Sequence, residues 1–134
     1  MAELTQEQAR TLADGFFEAS RSVGDFRLDH FTEIPDAEQV QLRSLQNALV
    51  QQSINLTAEA IRITLEDLKP TLARIGEVTK RVKEAVEKLT DVRQVIGIAT
   101  SFVNLGAAIV TGNPVGIAAA LGNTVTAVEE SEEV

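Results

Sequence analysis

The chain has 134 residues, 44% of them hydrophobic and 24% charged, with a formal net charge of −8 and no cysteine. That length and apolar content suit a single domain with its own core and exclude global disorder. The missing cysteines exclude disulfide frameworks and thiolate metal sites, and an acidic chain without a basic-aromatic stripe is not expected to bind nucleic acid.

Met1-Ala2-Glu3-Leu4 opens a polar, acidic N-terminus, so no Sec signal peptide is expected, and the chain reads as cytoplasmic or exported by a signal-less route. Thr5-Gln6-Glu7-Gln8 has the pattern of a capping box, and behind it Ala9, Leu12, Ala13, Phe16, Ala19 and Val23 recur at helical spacing. The pattern predicts an amphipathic helix over 5–23, ended near Gly24. Residues 24–35 lack a period and contain Gly24, Asp25, Asp29 and Pro35. They read as a loop, with Phe26, Leu28, Phe31 and Ile34 tucked under the bundle.

Asp36-Ala37-Glu38-Gln39 is a second capping-box pattern and opens a predicted helical stretch over 36–93. Leu42, Leu45, Leu49 and Leu56 lead into Ile61, Leu65, Leu68, Leu72, Ile75, Thr79, Val82, Val86, Leu89, Arg93 and Ile96. From Ile61 on, the spacing alternates four and three, a heptad seam interrupted by Thr79 and Arg93. Pro70 lies inside it. Proline removes a helix hydrogen bond and clashes with the preceding turn, so either the helix is kinked there or Pro70 opens a new one. The unbroken apolar phase favours the kink.

From Gln94 to Val128 there is no charged residue over 35 positions. A helix with no charge to offer water must rest in a core, on another subunit or in lipid. Thr111-Gly112-Asn113-Pro114 divides the run: Gly112 suits a left-handed C′ position, Asn113 an N-cap and Pro114 the first helical position. The prediction is an apolar helical hairpin over 94–128 followed by a frayed acidic tail over 129–134. Its arms, Val95 to Val110 and Val115 to Val128, have 16 and 14 residues. They reach about 24 and 21 Å against a hydrocarbon core of about 30 Å. They also carry Thr100, Ser101, Asn104, Asn123, Thr124 and Thr126. The hairpin is too polar for a permanent anchor and too apolar for open water. Small residues line both arms, as in close-packed helix pairs of lipid bilayers and of tight soluble bundles alike.

Charge is unevenly spread. Residues 1–61 hold 4 basic and 10 acidic side chains, and residues 62–93 hold 8 basic and 6 acidic. The basic surplus just before the hairpin suits lipid headgroups, or equally a solvated helix with i,i+4 pairs. With a heptad-bearing helix running into a glycine- and alanine-rich apolar hairpin, Ile61 to Val128 resembles the tail-and-head layout of α-helical pore-forming cytolysins. The resemblance implies an apolar head folded away in a soluble monomer that inserts on oligomerisation at a membrane. The chain is shorter than that layout and lacks room for a long multi-helix tail.

Enzyme chemistry finds no support in the residues. His30 is the one histidine, near Asp25, Asp29 and Glu33. A zinc site needs three or four protein ligands, and a di-iron bundle needs Glu-x-x-His on two helices. No nucleophile elbow, Walker A or dinucleotide-binding sequence occurs. Catalytic residues, metal ligands and cofactors are therefore expected to be none.

The expected protein is a single all-α antiparallel bundle whose hairpin meets lipid or protein. The contact residues expected are Val95, Ile98, Phe102, Leu105, Ile109, Pro114, Val115, Ile117 and Leu121, with Gly112, Asn113 and Pro114 as the turn. Lys80, Arg81, Lys83, Lys88 and Arg93 are the expected headgroup contacts. Two functions follow: a membrane-active, pore-forming-like component, or a soluble homo-oligomeric or partner-helix assembly protein built on the seam and hairpin.

Overall fold

The computed structural model of the chain describes residues 2–58, 62–63 and 68–132, with side chains over 4–58 and 71–132. Among the described residues there are five α-helices: α1 (Gln6–Asp29), α2 (Asp36–Ala58), α3 (Leu68–Lys88), α4 (Val92–Thr111) and α5 (Pro114–Glu132). The fold is an all-α helical bundle. A 3-10 turn at Phe31–Glu33 links α1 to α2, and two-residue strands β1 (Ala2–Glu3) and β2 (Arg62–Ile63) pair antiparallel. The helices close a ring in the order α2, α1, α3, α5, α4, and α4 also touches α1 and α3 across the middle.

Local chemistry sets the ends. Thr5 Oγ1 accepts from the Gln8 backbone N–H at 3.1 Å while Gln8 Oε1 accepts from the Thr5 N–H at 3.0 Å, a complete capping box. α1 does not stop near Gly24. It continues to Asp29, because Val23, Gly24 and Phe26 are buried and the missing Cβ of Gly24 makes room for Gln46 of α2, whose Nε2 would lie 2.7 Å from that atom. Gly24 is thus a packing notch at a helix crossing. The expected loop over 24–35 shrinks to the segment after Asp29. Of its four apolar residues, Phe26 and Ile34 are buried, whereas Leu28 and Phe31 are exposed. The second capping box does not form: α2 already includes Asp36, and the Gln39 amide donates to the Phe31 carbonyl at 3.0 Å.

No single helix covers 36–93. α2 ends at Ala58, β2 intervenes, and Pro70 is the third residue of α3, in the first turn, where a missing N–H costs nothing. A second break follows Lys88. Asp91 adopts an extended conformation (φ −88°, ψ 115°) and its carboxylate accepts from the Arg93 N–H at 2.9 Å, capping α4. At the far end α5 stays helical to Glu132, whose carboxylate lies 3.6 Å from Arg81, so this part of the expected frayed tail is ordered. Of the seam, Ile75, Val82 and Val86 are buried together with Val78, while Leu72, Thr79 and Leu89 are half-buried. This face of α3 is spent on the chain's own core. Ile61 and Leu65 lie outside the described residues.

Facing pairs give the helix directions. Gly15 packs on Thr79 and Glu18 reaches Lys83 at 3.6 Å, so α1 and α3 run parallel. Gly116 at the start of α5 sits 3.6 Å from the Ala108 Cβ near the end of α4, as an antiparallel hairpin requires. At the centre Phe16 and Phe102 stack with ring centroids 4.4 Å apart and planes inclined by 12°. Beside them Gly106 receives the Gln52 side chain, whose Nε2 donates to the Val103 carbonyl at 2.7 Å.

A Cβ at Gly106 would stand 2.8 Å from Phe16 Cε1 and would also clash with the Gln52 amide. Both neighbours are buried and cannot retreat to solvent. Gly106→Ala is expected to destabilise the fold by about 1–3 kcal/mol, the usual cost of overpacking, and urea denaturation measures it. Unchanged stability would mean that α4 does not cross α1 and α2 at this notch.

Candidate interaction surface

The hairpin turn forms as its residues dictate. Gly112 takes the left-handed conformation (φ 71°, ψ 18°) and its N–H closes on the carbonyls of Ala108 and Ile109. Asn113 Oδ1 accepts from the backbone N–H groups of Val115 and Gly116 at 3.0 and 3.2 Å, and Pro114 is the first residue of α5. The polar side chains inside the hairpin satisfy themselves: the buried Thr124 hydroxyl donates to the Ala120 carbonyl at 2.8 Å.

The nine expected contact residues divide sharply. Val95, Ile98, Phe102, Leu105, Ile109, Ile117 and Leu121 all lie in the core at 2% exposure or less. Pro114 is half-buried, and Val115 is 77% exposed at the hairpin tip. In this fold the apolar ridge of the hairpin is turned inward against α1, α2 and α3. The five expected headgroup residues are not gathered into one patch. Lys80 and Lys83 line a groove between α1 and α3, Arg81 and Lys88 line a cleft between α3 and α5, and Arg93 stands at the base of the hairpin. Glu18 and Glu132 pair with Lys83 and Arg81.

What the hairpin offers to solvent is a different set. Gly97, Thr100, Asn104, Ala107 and Thr111 form an exposed stripe on α4, and Val115, Ala118, Ala119, Asn123 and Thr126 form one on α5. The surface does not end there. α2 packs on the other flank of α4, and from Ser44 to Ala58 it carries no charge either. Ser44, Asn47, Gln51, Ile54 and Ala58 are its exposed stripe at the same three-and-four spacing. Over the stretches 44–58, 94–111 and 114–128, three consecutive helices of the ring thus expose no ionisable group. The charges lie on α1, α3, the first turns of α2 (Asp36, Glu38 and Arg43) and the ends of α4 and α5. Sequence reading missed the α2 part. Its signal was present as a 15-residue uncharged run, overshadowed by the longer one and moderate in hydropathy because it is rich in Gln, Asn, Ser and Thr.

His30, the lone histidine, has Nδ1 3.0 Å from Glu33 Oε2, and among the described residues no three His, Asp or Glu side chains are placed to hold a metal ion. Comparison with protein-family models, with curated proteins and with solved structures finds no match to this chain.

Burial separates the two faces of α4 energetically. Phe102→Ala is expected to cost about 3–5 kcal/mol, the range for a buried aromatic, whereas Asn104→Asp, two residues on but exposed, should change stability by no more than about 0.5 kcal/mol. Chemical denaturation of both variants checks this. A large loss from Asn104→Asp would show that the uncharged side is buried in the isolated chain.

Proposed function

We propose that this is a non-enzymatic helical protein that works by associating with protein through the uncharged side formed by α2, α4 and α5. The observation that carries the reading is the continuity of that side. In a chain with 24% charged residues, the stretches 44–58, 94–111 and 114–128 of three neighbouring helices expose only Gly, Ala, Ser, Thr, Asn, Gln, Ile and Val, with Arg43, Arg93, Glu129 and Glu130 at their margins. Charged residues are depleted at the centres of protein interfaces because each must lose its water. A purely solvated helix gains solubility from Lys and Glu on its outer face, and these helices forgo it.

A membrane-inserting reading, in line with the cytolysin-like layout, keeps one specific observation. α4 is the helix among the described residues long and apolar enough to cross a bilayer, with less than half of its apolar window buried. Its 20 residues extend about 30 Å. Two quantities count against insertion from this fold. Withdrawing Val95, Ile98, Phe102, Leu105 and Ile109 gives up burial of about 1.5–3 kcal/mol each, a total comparable with the whole stability of a small domain, about 5–15 kcal/mol. The side already turned outward is polar, and Asn104, Asn123 and the threonines would meet lipid. Uncharged amides and hydroxyls suit a wet, hydrogen-bonding protein contact better than hydrocarbon.

A photo-crosslinking amino acid placed at Asn104, with one at Glu77 on the charged side as control, separates the readings in the cell that makes the protein. Protein adducts are expected from Asn104 and not from Glu77. Adducts from Glu77 alone, none from Asn104, or adducts of Asn104 with lipid would each overturn the association reading.

A further inference from the structure

On the charged flank, α1 and α3 run parallel and leave a hollow of about 490 Å³ between them. The two helices are tied at both ends. β1 leads into α1 and pairs with β2 ahead of α3, and further along Lys83 reaches Glu18 at 3.6 Å. From Glu7 to Glu18 the groove extends roughly 17 Å. Volume over length gives a section of roughly 30 Å², against about 80–110 Å² for a helix about 10–12 Å across. The space takes a linear chain of atoms and not the body of a partner helix. Its volume falls within the range of small-ligand pockets, about 300–1,000 Å³.

The lining suits an amphiphile. Leu12 and Leu72 form the floor. The Thr11 and Thr79 hydroxyls are turned back onto carbonyls of their own helices at 3.0 and 2.7 Å, so they ask nothing of an occupant. The ionisable groups segregate by edge. Those from α1 are all carboxylates, Glu7, Asp14 and Glu18, and those from α3 are both amines, Lys80 and Lys83. Glu18 and Lys83 neutralise each other. Asp14 and Lys80 stand at one level, because their chain neighbours Gly15 and Thr79 pack together. Among the described residues neither makes an ion pair. An anion and a cation thus flank a gap over the apolar floor. One turn from Lys80 toward Leu72, Gly76 widens the groove: a Cβ there would have nothing within 4 Å.

We propose that the α1–α3 groove binds a small zwitterionic amphiphile, with an α-amino acid head between Asp14 and Lys80 and an unbranched apolar tail along Leu12, Gly76 and Leu72. The ammonium meets Asp14 and the carboxylate meets Lys80. A fatty acid or an alkylamine satisfies one edge and sets a like charge against the other. Past the head, the tail has about 10 Å of groove before Glu7, the reach of a six- to eight-carbon chain. The site lies on the flank away from the uncharged stretches and does not depend on the association reading above.

Isothermal titration calorimetry of the purified full-length chain tests this with three probes: 2-aminooctanoic acid, heptylamine, which lacks its carboxylate, and octanoate, which lacks its amine. The zwitterion is expected to bind about threefold or more tighter than either, the scale of one exposed ion pair. 2-Aminohexanoic acid should bind about fourfold more weakly than 2-aminooctanoic acid, about twofold for each half-buried methylene lost. Lys80→Glu should reverse the order and place heptylamine above 2-aminooctanoic acid. Gly76→Leu should fill the groove and weaken binding tenfold or more while the helical circular dichroism spectrum is kept. Gly122→Leu, equally open but on α5, should leave binding unchanged. No binding of 2-aminooctanoic acid at millimolar concentration, equal or tighter binding of either single-charge homologue, or an unaltered affinity of folded Gly76→Leu would each overturn the proposal. So would an equal loss from Gly122→Leu. Where Gly76→Leu does not fold, Lys80→Glu at its exposed position decides, and an unchanged order of the probes overturns the proposal.

Discussion

The architecture depends on the close approach of α4 to α1 and α2. Phe102 stacks on Phe16 at 4.4 Å, and Gly106, one turn further on, admits the Gln52 side chain. A helix held this near the middle of a five-helix ring cannot carry charge toward its neighbours, since a buried ion without a partner costs several kcal/mol. Its inward residues, Val95, Ile98, Ala99, Phe102, Leu105 and Ile109, are accordingly all apolar. The same contact fixes α2 and α5 as the flanks of α4, and so decides which three outer surfaces adjoin.

Gln52 shows that the crossing is not apolar throughout. Its Nε2 is bonded to the Val103 carbonyl, while its buried Oε1 has no partner. Burying an acceptor unpaired opposes folding, and a leucine would fill similar space without that loss. The amide is directional where leucine is not: it bonds α2 to one particular carbonyl of α4. Since Val103 and Gly106 both meet this side chain, a slide of either helix by one turn would break the bond and close the notch. Packing and hydrogen bonding thus select the same register.

The sequence made the short-range structure legible wherever one residue's backbone preference acts alone. Thr5 with Gln8, and Gly112 with Asn113 and Pro114, formed the caps and turn that their types demand. It misled where the same residue types serve tertiary packing. Gly24 reads as a helix stop, yet it lies within α1 because Gln46 needs the space of its side chain. Leu28 and Phe31 read as core but are exposed, Leu28 on the continued last turn of α1 and Phe31 in the 3-10 turn that follows it. The break before Pro70 is hidden by apolar residues that stay in phase, and Asp91, inside the helix expected over 36–93, instead caps α4, as Asp before a helix start commonly does. The hairpin was found and its orientation was not, because periodicity tells which residues share a face and not whether that face looks inward. Only the packing of α4 against α1, α2, α3 and α5 settles this, and it leaves Thr100, Asn104 and Ala107 outside.

Segregating the charges has a geometric consequence on the opposite side. α1 and α3 run parallel and part around Gly15 and Gly76, leaving a groove of about 490 Å³ floored by Leu12 and Leu72 and edged by Glu7, Asp14, Lys80 and Lys83. Both signs of charge stand on its rim, so it stays wetted and repels neither acidic nor basic neighbours as a block. The stretches 44–58, 94–111 and 114–128 offer the reverse: no fixed charge, and exposed amides and hydroxyls whose water a packed surface can replace. Association through α2, α4 and α5 therefore leaves the α1–α3 groove open on the far face. The bundle presents two surfaces of opposite character on opposite flanks of the ring, α1 and α3 on one and α2, α4 and α5 on the other.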